Sequence, residues 1–132
     1  MAILRRTLYW NAAAWSLVGI VAAAAPGFAV QTIARQVALP DYTWIRIGGV
    51  GAFGFALFMV LVAHRITEVW WWSWAFVIVA GGLTLIGAMN AAFGTPPASS
   101  AIFWSLFAAV NAAFTGGLLW GLGRTGMERP PI

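Results

Sequence analysis

Apolar positions in this chain come as four long unbroken runs rather than as short alternations, and each run ends at charged, proline or glycine-rich residues. The clearest occupies residues 44–65, WIRIGGVGAFGFALFMVLVAHR, with no ionisable residue between Arg46 and His64. About 20 apolar residues suffice to cross a hydrocarbon layer of roughly 30 Å as a helix. Runs of the same kind recur, so the sequence predicts spans over residues 7–25, 45–63, 71–92 and 101–122.

Helical spacing sorts each run into a smooth face and a bulky one. With successive residues about 100° apart, Gly48, Ala52, Ala56, Met59 and Ala63 share a side of the second span with Gly49. Phe55, Phe58 and Val62 are expected to turn outward toward acyl chains. Ala12, Ser16, Gly19 and Ala23 form a similar strip in the first span. Ser73, Val77, Ala80, Gly81, Thr84, Gly87, Ala88 and Ala91 form one in the third. Ala101, Ser105, Ala108, Ala112 and Gly116 form one in the fourth. Small residues let helix backbones approach closely in lipid, so these strips are the expected packing surfaces.

Between the first two spans, Pro26-Gly27 stops one helix, and Val30, Ile33 and Val37 then repeat at helical spacing among Gln31, Thr32, Arg35 and Gln36. Residues 28–39 therefore read as a short amphipathic helix on a membrane surface. Residues 94–100, GTPPASS, read as a tight uncharged turn.

Composition agrees with a single membrane domain: 62% of the 132 residues are hydrophobic and 8% charged, against about 25% charged in soluble domains. The basic residues, all arginines, stand at span ends, which speaks against nucleic-acid binding. Arg5, Arg6, Arg65, Arg124 and Arg129 fall on one side and Arg35 and Arg46 on the other. By the positive-inside rule both termini are expected in the cytoplasm. Arg5-Arg6, an apolar run and the alanines 22–25 imitate a secretory signal; the run is retained as a first span. Cysteine is absent, which excludes disulfides, thiol catalysis and thiolate metal sites.

Chemistry is sparse. Trp10, Trp70, Trp71, Trp72, Trp74 and Trp120 suit one interfacial belt, with Trp44 and Trp104 in the other; Trp72 and its neighbours are alternatively a platform for pigment or quinone. Arg46 can snorkel or reach Asp41, or meet an anionic ligand. His64 can pair with Glu68 one turn on, or ligate haem or chlorophyll. Asn11, Asn90 and Asn111 need partners in lipid; an interhelical hydrogen bond suits Asn111, as does contact with a quinone, carotenoid or lipid. No embedded carboxylate, catalytic dyad or phosphate loop is present in the sequence, so an enzyme acting alone is not expected.

An apolar span, Pro26, an amphipathic connection, the entry Arg46-Ile47-Gly48-Gly49-Val50-Gly51 and two further spans resemble the small four-helix bacterial inner-membrane proteins grouped as DoxX-like. The resemblance implies an accessory role and carries over no catalytic residue. The reading is thus an all-α, four-helix transmembrane bundle of the bacterial inner membrane. Its expected job is as an accessory subunit of an energy-transducing complex, with other membrane subunits and lipids as partners. Lipid, quinone, carotenoid or a chlorophyll-type pigment would be contacted through His64, Asn111 and Trp72. Packing falls to Gly48, Ala52, Ala56, Ala108, Ala112 and Gly116. The alternative is a self-associating carrier or channel lined by Asn11, Thr84, Asn111 and Thr115.

Overall fold

The chain is described by a computed structural model over residues 1–94 and 100–128, and among these residues it holds helices and no strand. The long helices are α1 (Ala2–Ala24), α2 (Thr43–His64), α4 (Ser73–Phe93) and α5 (Ala101–Glu128); α3 (Ile66–Val69) and a 3₁₀ turn (Trp70–Trp72) lead into α4. Four helical stretches, at 2–24, 43–64, 66–93 and 101–128, are long and apolar enough to cross a membrane. The chain runs up, down, up and down. The first and last described residues meet at one end of the bundle, where the Met1 amino group lies 3.1 Å from the Glu128 carboxylate. The first helix begins earlier than residue 7, and the last continues beyond residue 122 through Gly123 and Gly126, because Thr125 is buried and keeps that end docked.

Helix α1 packs on α2 and on α5, and α4 packs on α5. Between α2 and α4 the seam is aromatic: Phe76, fully buried, has ring centroids 5.3 Å from Phe55 and 5.6 Å from Phe58, edge to face. Leu4, Leu8, Val62, Ala63, Ile66, Phe76, Leu118 and Leu122 fill the half of the bundle nearer Met1 and Glu128. Phe55, half-buried, and Val62, buried, therefore point inward, contrary to the outward orientation expected of them, whereas Phe58 stays exposed at the edge with its ring against Phe76 and Trp72. On the wheel they lie beside Gly48 and not across from it, Phe55 only about 20° away.

Two helix crossings bring backbone onto backbone. A Cβ placed on Gly19 would stand 2.6 Å from the Gly49 carbonyl oxygen, and one on Gly121 would stand 2.7 Å from Leu4 Cα. The smooth strip of α5 behaves differently. Ala101, Ser105, Ala112 and Gly116 are exposed, and the helix packs instead through Asn111, Leu118, Gly121, Leu122 and Thr125.

The connection after α1 also differs from expectation. Residues 28–39 form no continuous surface helix; a π-helix covers Phe28–Ile33 only. Arg35 then adopts φ 50°, and the Gln36 amide donates to the Val30 carbonyl at 2.9 Å to close the turn. A left-handed residue cannot continue the helix, and for a residue with a Cβ this conformation costs roughly 1–2 kcal/mol. Val37 is left exposed outside any helix. Farther on, Asp41 starts α2: its carboxylate accepts from the Thr43 amide at 3.1 Å and the Thr43 hydroxyl at 2.8 Å. Those two bonds hold the Asp41 carboxyl below its ordinary pKa. Ser100 plays the same part for α5, accepting from the Phe103 amide at 3.3 Å. Residues 95–99 of the turn expected at 94–100, and Arg129, lie outside the described residues.

Candidate ligand-binding cleft

Toward the end opposite Met1 and Glu128 the bundle opens. Helices α1 and α5 touch where Leu4 meets Gly121 and where Thr7 meets Gly117. Higher up they are separated by a cleft of about 470 Å³, within the usual range of ligand pockets of roughly 300–1,000 Å³.

The walls follow from helical spacing. On α5, Phe103, Phe107, Val110 and Phe114 recur every three or four residues and so share a face, with Asn111 among them. Helix α1 contributes Ala14, Trp15 and Val18 from consecutive turns. The π-helical connection supplies the rim through Thr32, Ile33 and Arg35. π-Helical turns are rare and gather at functional sites.

Aromatic contacts hold these walls. Trp15 meets Phe55 edge to face at 5.6 Å, which ties the α1 wall to the core. Phe103 stacks on Phe107 at 6.0 Å, and Trp104 contacts both rings, at 5.1 and 5.6 Å. Such pairs contribute about 0.5–1.5 kcal/mol each beyond their burial.

Asn111 is 6% exposed, and its amide nitrogen donates to the Phe107 carbonyl at 2.9 Å. A carbonyl can only accept, so the nitrogen is fixed there and the side-chain oxygen is the atom left to receive a bond. The interhelical hydrogen bond expected of Asn111 is therefore not formed. Asn90 likewise turns back to Ile86, and Thr84 and Thr115 turn back to Ala80 and Asn111. Carbonyls within the same helix satisfy these groups because their side chains are short and lie over the preceding turn. Asn11, one turn nearer Met1 than Ala14 and Trp15, is 1% exposed, and neither of its amide atoms has a hydrogen-bond partner among the described residues.

The other expected site residues stand elsewhere. His64 is exposed at the last residue of α2, and Glu68 pairs with Arg65 at 3.5 Å instead of with His64. Trp72 is exposed in the 3₁₀ turn, edge to face with Phe58 at 5.7 Å and beside Trp71 at 5.0 Å. Both belong to the end that carries Met1 and Glu128, whereas Asn111 lies about 21 Å along α5 from Thr125. His64, Trp72 and Asn111 do not form one site.

Of the residues expected to pack, Ala56 is buried, Ala52 half-buried, and Ala108 meets Gly87. Gly48 and Gly116 face open space, and Ala112 is exposed. Arg46 reaches neither Asp41 nor open solvent alone; its guanidinium donates to the Ala23 carbonyl at 2.9 Å, at the negative end of α1.

Arg35, Trp15, Phe103, Phe107 and Phe114 were not singled out as site residues by sequence reasoning. The aromatic repeat at 103, 107 and 114 with Asn111 on the same face was the signal present.

The chain matches no protein-family model, no curated protein and no solved structure.

Proposed function

We propose that this chain is a multi-pass protein of the bacterial inner membrane, with both termini in the cytoplasm. On this reading it serves a larger membrane assembly as a non-enzymatic accessory subunit that holds an apolar ligand in the cleft between α1 and α5. The exterior supports residence in lipid: Leu17, Ile20, Leu57, Leu61, Ile78, Leu85 and Leu106 are exposed along the four long helices. Such a surface would associate in water. Arg5, Arg6, Arg65 and Arg124 at one end outnumber Arg35 and Arg46 at the other, which supports the orientation. The cleft then opens in the outer half of the membrane.

The observation that carries the ligand-holding role is the lining of the cleft. Four aromatic rings, aliphatic side chains and one amide oxygen suit an acyl chain or the isoprenoid tail and ring of a quinone. Binding is favoured over passage because Thr84, Thr115 and Asn111 turn their donors to carbonyls of their own helices.

The test is purification from the native membrane in mild detergent, followed by native mass measurement. The expected species is a larger assembly in which this chain retains a bound apolar molecule. A bare, isolated chain would contradict the proposal.

A further inference from the structure

The rim of the cleft carries a cation that the fold leaves free to bind a ligand, and this bears on what the cleft holds. Arg35 lies beside Thr32 and Ile33 at the mouth, exposed, with no carboxylate in ion-pair distance among the described residues. Asp41, the acidic residue of that end, already accepts two bonds from Thr43. Arg46, the other arginine there, donates to Ala23.

Backbone geometry singles out the same residue. Glycine is the usual choice where a helix ends in the left-handed conformation, yet an arginine occupies φ 50° at the rim. Strain held at one residue beside a cavity is a reason to ask what its side chain does.

Below the rim the lining is apolar from Ile102 down to Asn111 and Phe114, about 14–18 Å along α5. That length takes the greater part of one acyl chain. A cation at the mouth above an apolar trough matches a molecule with an anionic head and a long tail. Guanidinium binds phosphate oxygens in a two-pronged geometry that ammonium cannot copy.

We infer that the cleft binds an anionic phospholipid from the outer leaflet, its phosphodiester on Arg35 and one acyl chain along Phe103, Phe107 and Val110 toward Asn111. The second chain remains in the bilayer beyond the exposed side chains of Ile102 and Leu106. The inference rests on the ligand-holding role proposed above and adds the head group and its anchor.

The test uses the full chain in detergent, stripped of lipid and offered phosphatidylglycerol, phosphatidylethanolamine of the same chains, and oleate, with bound species read by native mass spectrometry. Phosphatidylglycerol is expected to bind first, about tenfold tighter than phosphatidylethanolamine, whose own ammonium offsets the charge of the shared phosphodiester and repels Arg35. Arg35→Gln should remove that preference, Arg35→Lys should restore part of it, and Arg6→Gln at the opposite end should leave it intact. Arg35→Gly should bind like Arg35→Gln while the lipid-free protein melts at a higher temperature, which separates lost charge from lost folding. Ala14→Trp, which fills the trough, should abolish all binding. Equal affinity for the two phospholipids, an unchanged preference in Arg35→Gln, or tighter binding of oleate would overturn the head-group assignment and leave the cleft standing. Failure of the wild type to bind any of the three, or undiminished binding in Ala14→Trp, would overturn the ligand-holding role as well.

Discussion

Gly19 and Gly49 face each other across the α1–α2 crossing so closely that neither position has room for a methyl group. A Cβ on Gly49 would stand 2.7 Å from the Gly19 carbonyl oxygen and 2.6 Å from the Ala23 amide nitrogen, atoms of backbone that cannot rotate away. Gly48 and Gly51, on the same helix, have nothing within 4 Å. Gly19→Val or Gly49→Val should therefore destabilise the bundle by about 1–3 kcal/mol, the usual range for overpacking. Gly48→Ala and Gly51→Ala should cost nothing and can raise stability by up to about 1 kcal/mol, the helix preference of alanine over glycine. Thermal unfolding in detergent, followed by circular dichroism, separates the two classes.

Phe76 is the pivot of the aromatic seam between α2 and α4, fully buried between Phe55 and Phe58. Truncation removes a large apolar side chain and leaves a hole that neighbouring rings can only partly fill. Phe76→Ala should cost about 3–5 kcal/mol, and Phe76→Leu less. The same unfolding measurement reads both.

Asn11 has two amide atoms inside the bundle with no hydrogen-bond partner among the described residues. Leucine has the same branching and no polar atoms, so Asn11→Leu should stabilise the protein by about 1–3 kcal/mol, the penalty of an unmade buried hydrogen bond. A loss of stability of that size would mean that the amide has a partner in the membrane.

Asp41 anchors the start of α2 as a carboxylate. Its folded pKa is depressed by the bonds from Thr43, so its contribution is present above the ordinary aspartate pKa and is lost as pH falls through the lower folded value. Hydrogen exchange of the Thr43 amide, corrected for intrinsic rates, should accelerate in the wild type only below that ordinary value. Asp41→Ala should show fast exchange at every pH.

Much of this fold was legible in the residues, and the reasons are physical. Long apolar runs bounded by Pro26-Gly27 and by arginines permit little except helices, and Gly19, Gly87 and Ala56 lie on faces whose smoothness announced close packing. The α5 strip misled because Ala112 and Gly116 are as smooth as Gly19. Smoothness alone does not say whether another helix is there: α1 is met by Gly117 and Gly121, outside the strip, and of the strip Ala108 meets Gly87 of α4. The cleft was less legible still. It depends on α1 and α5 parting above Thr7 and Gly117, and on Arg35 leaving the helix at φ 50°, neither of which has a periodic signature. His64 and Trp72 drew attention by residue type, but their helices end far from the opening.

The account turns on whether the space between α1 and α5 holds an acyl chain. The direct measurement is photo-crosslinking in reconstituted vesicles with a phosphatidylglycerol that carries a diazirine along one chain, and adducts mapped by mass spectrometry. Adducts concentrated on residues 14–18 and 103–114, and reduced in Arg35→Gln, are the predicted result. An even spread over Leu57, Leu61, Ile78 and Leu85, side chains exposed elsewhere on the bundle, would contradict it.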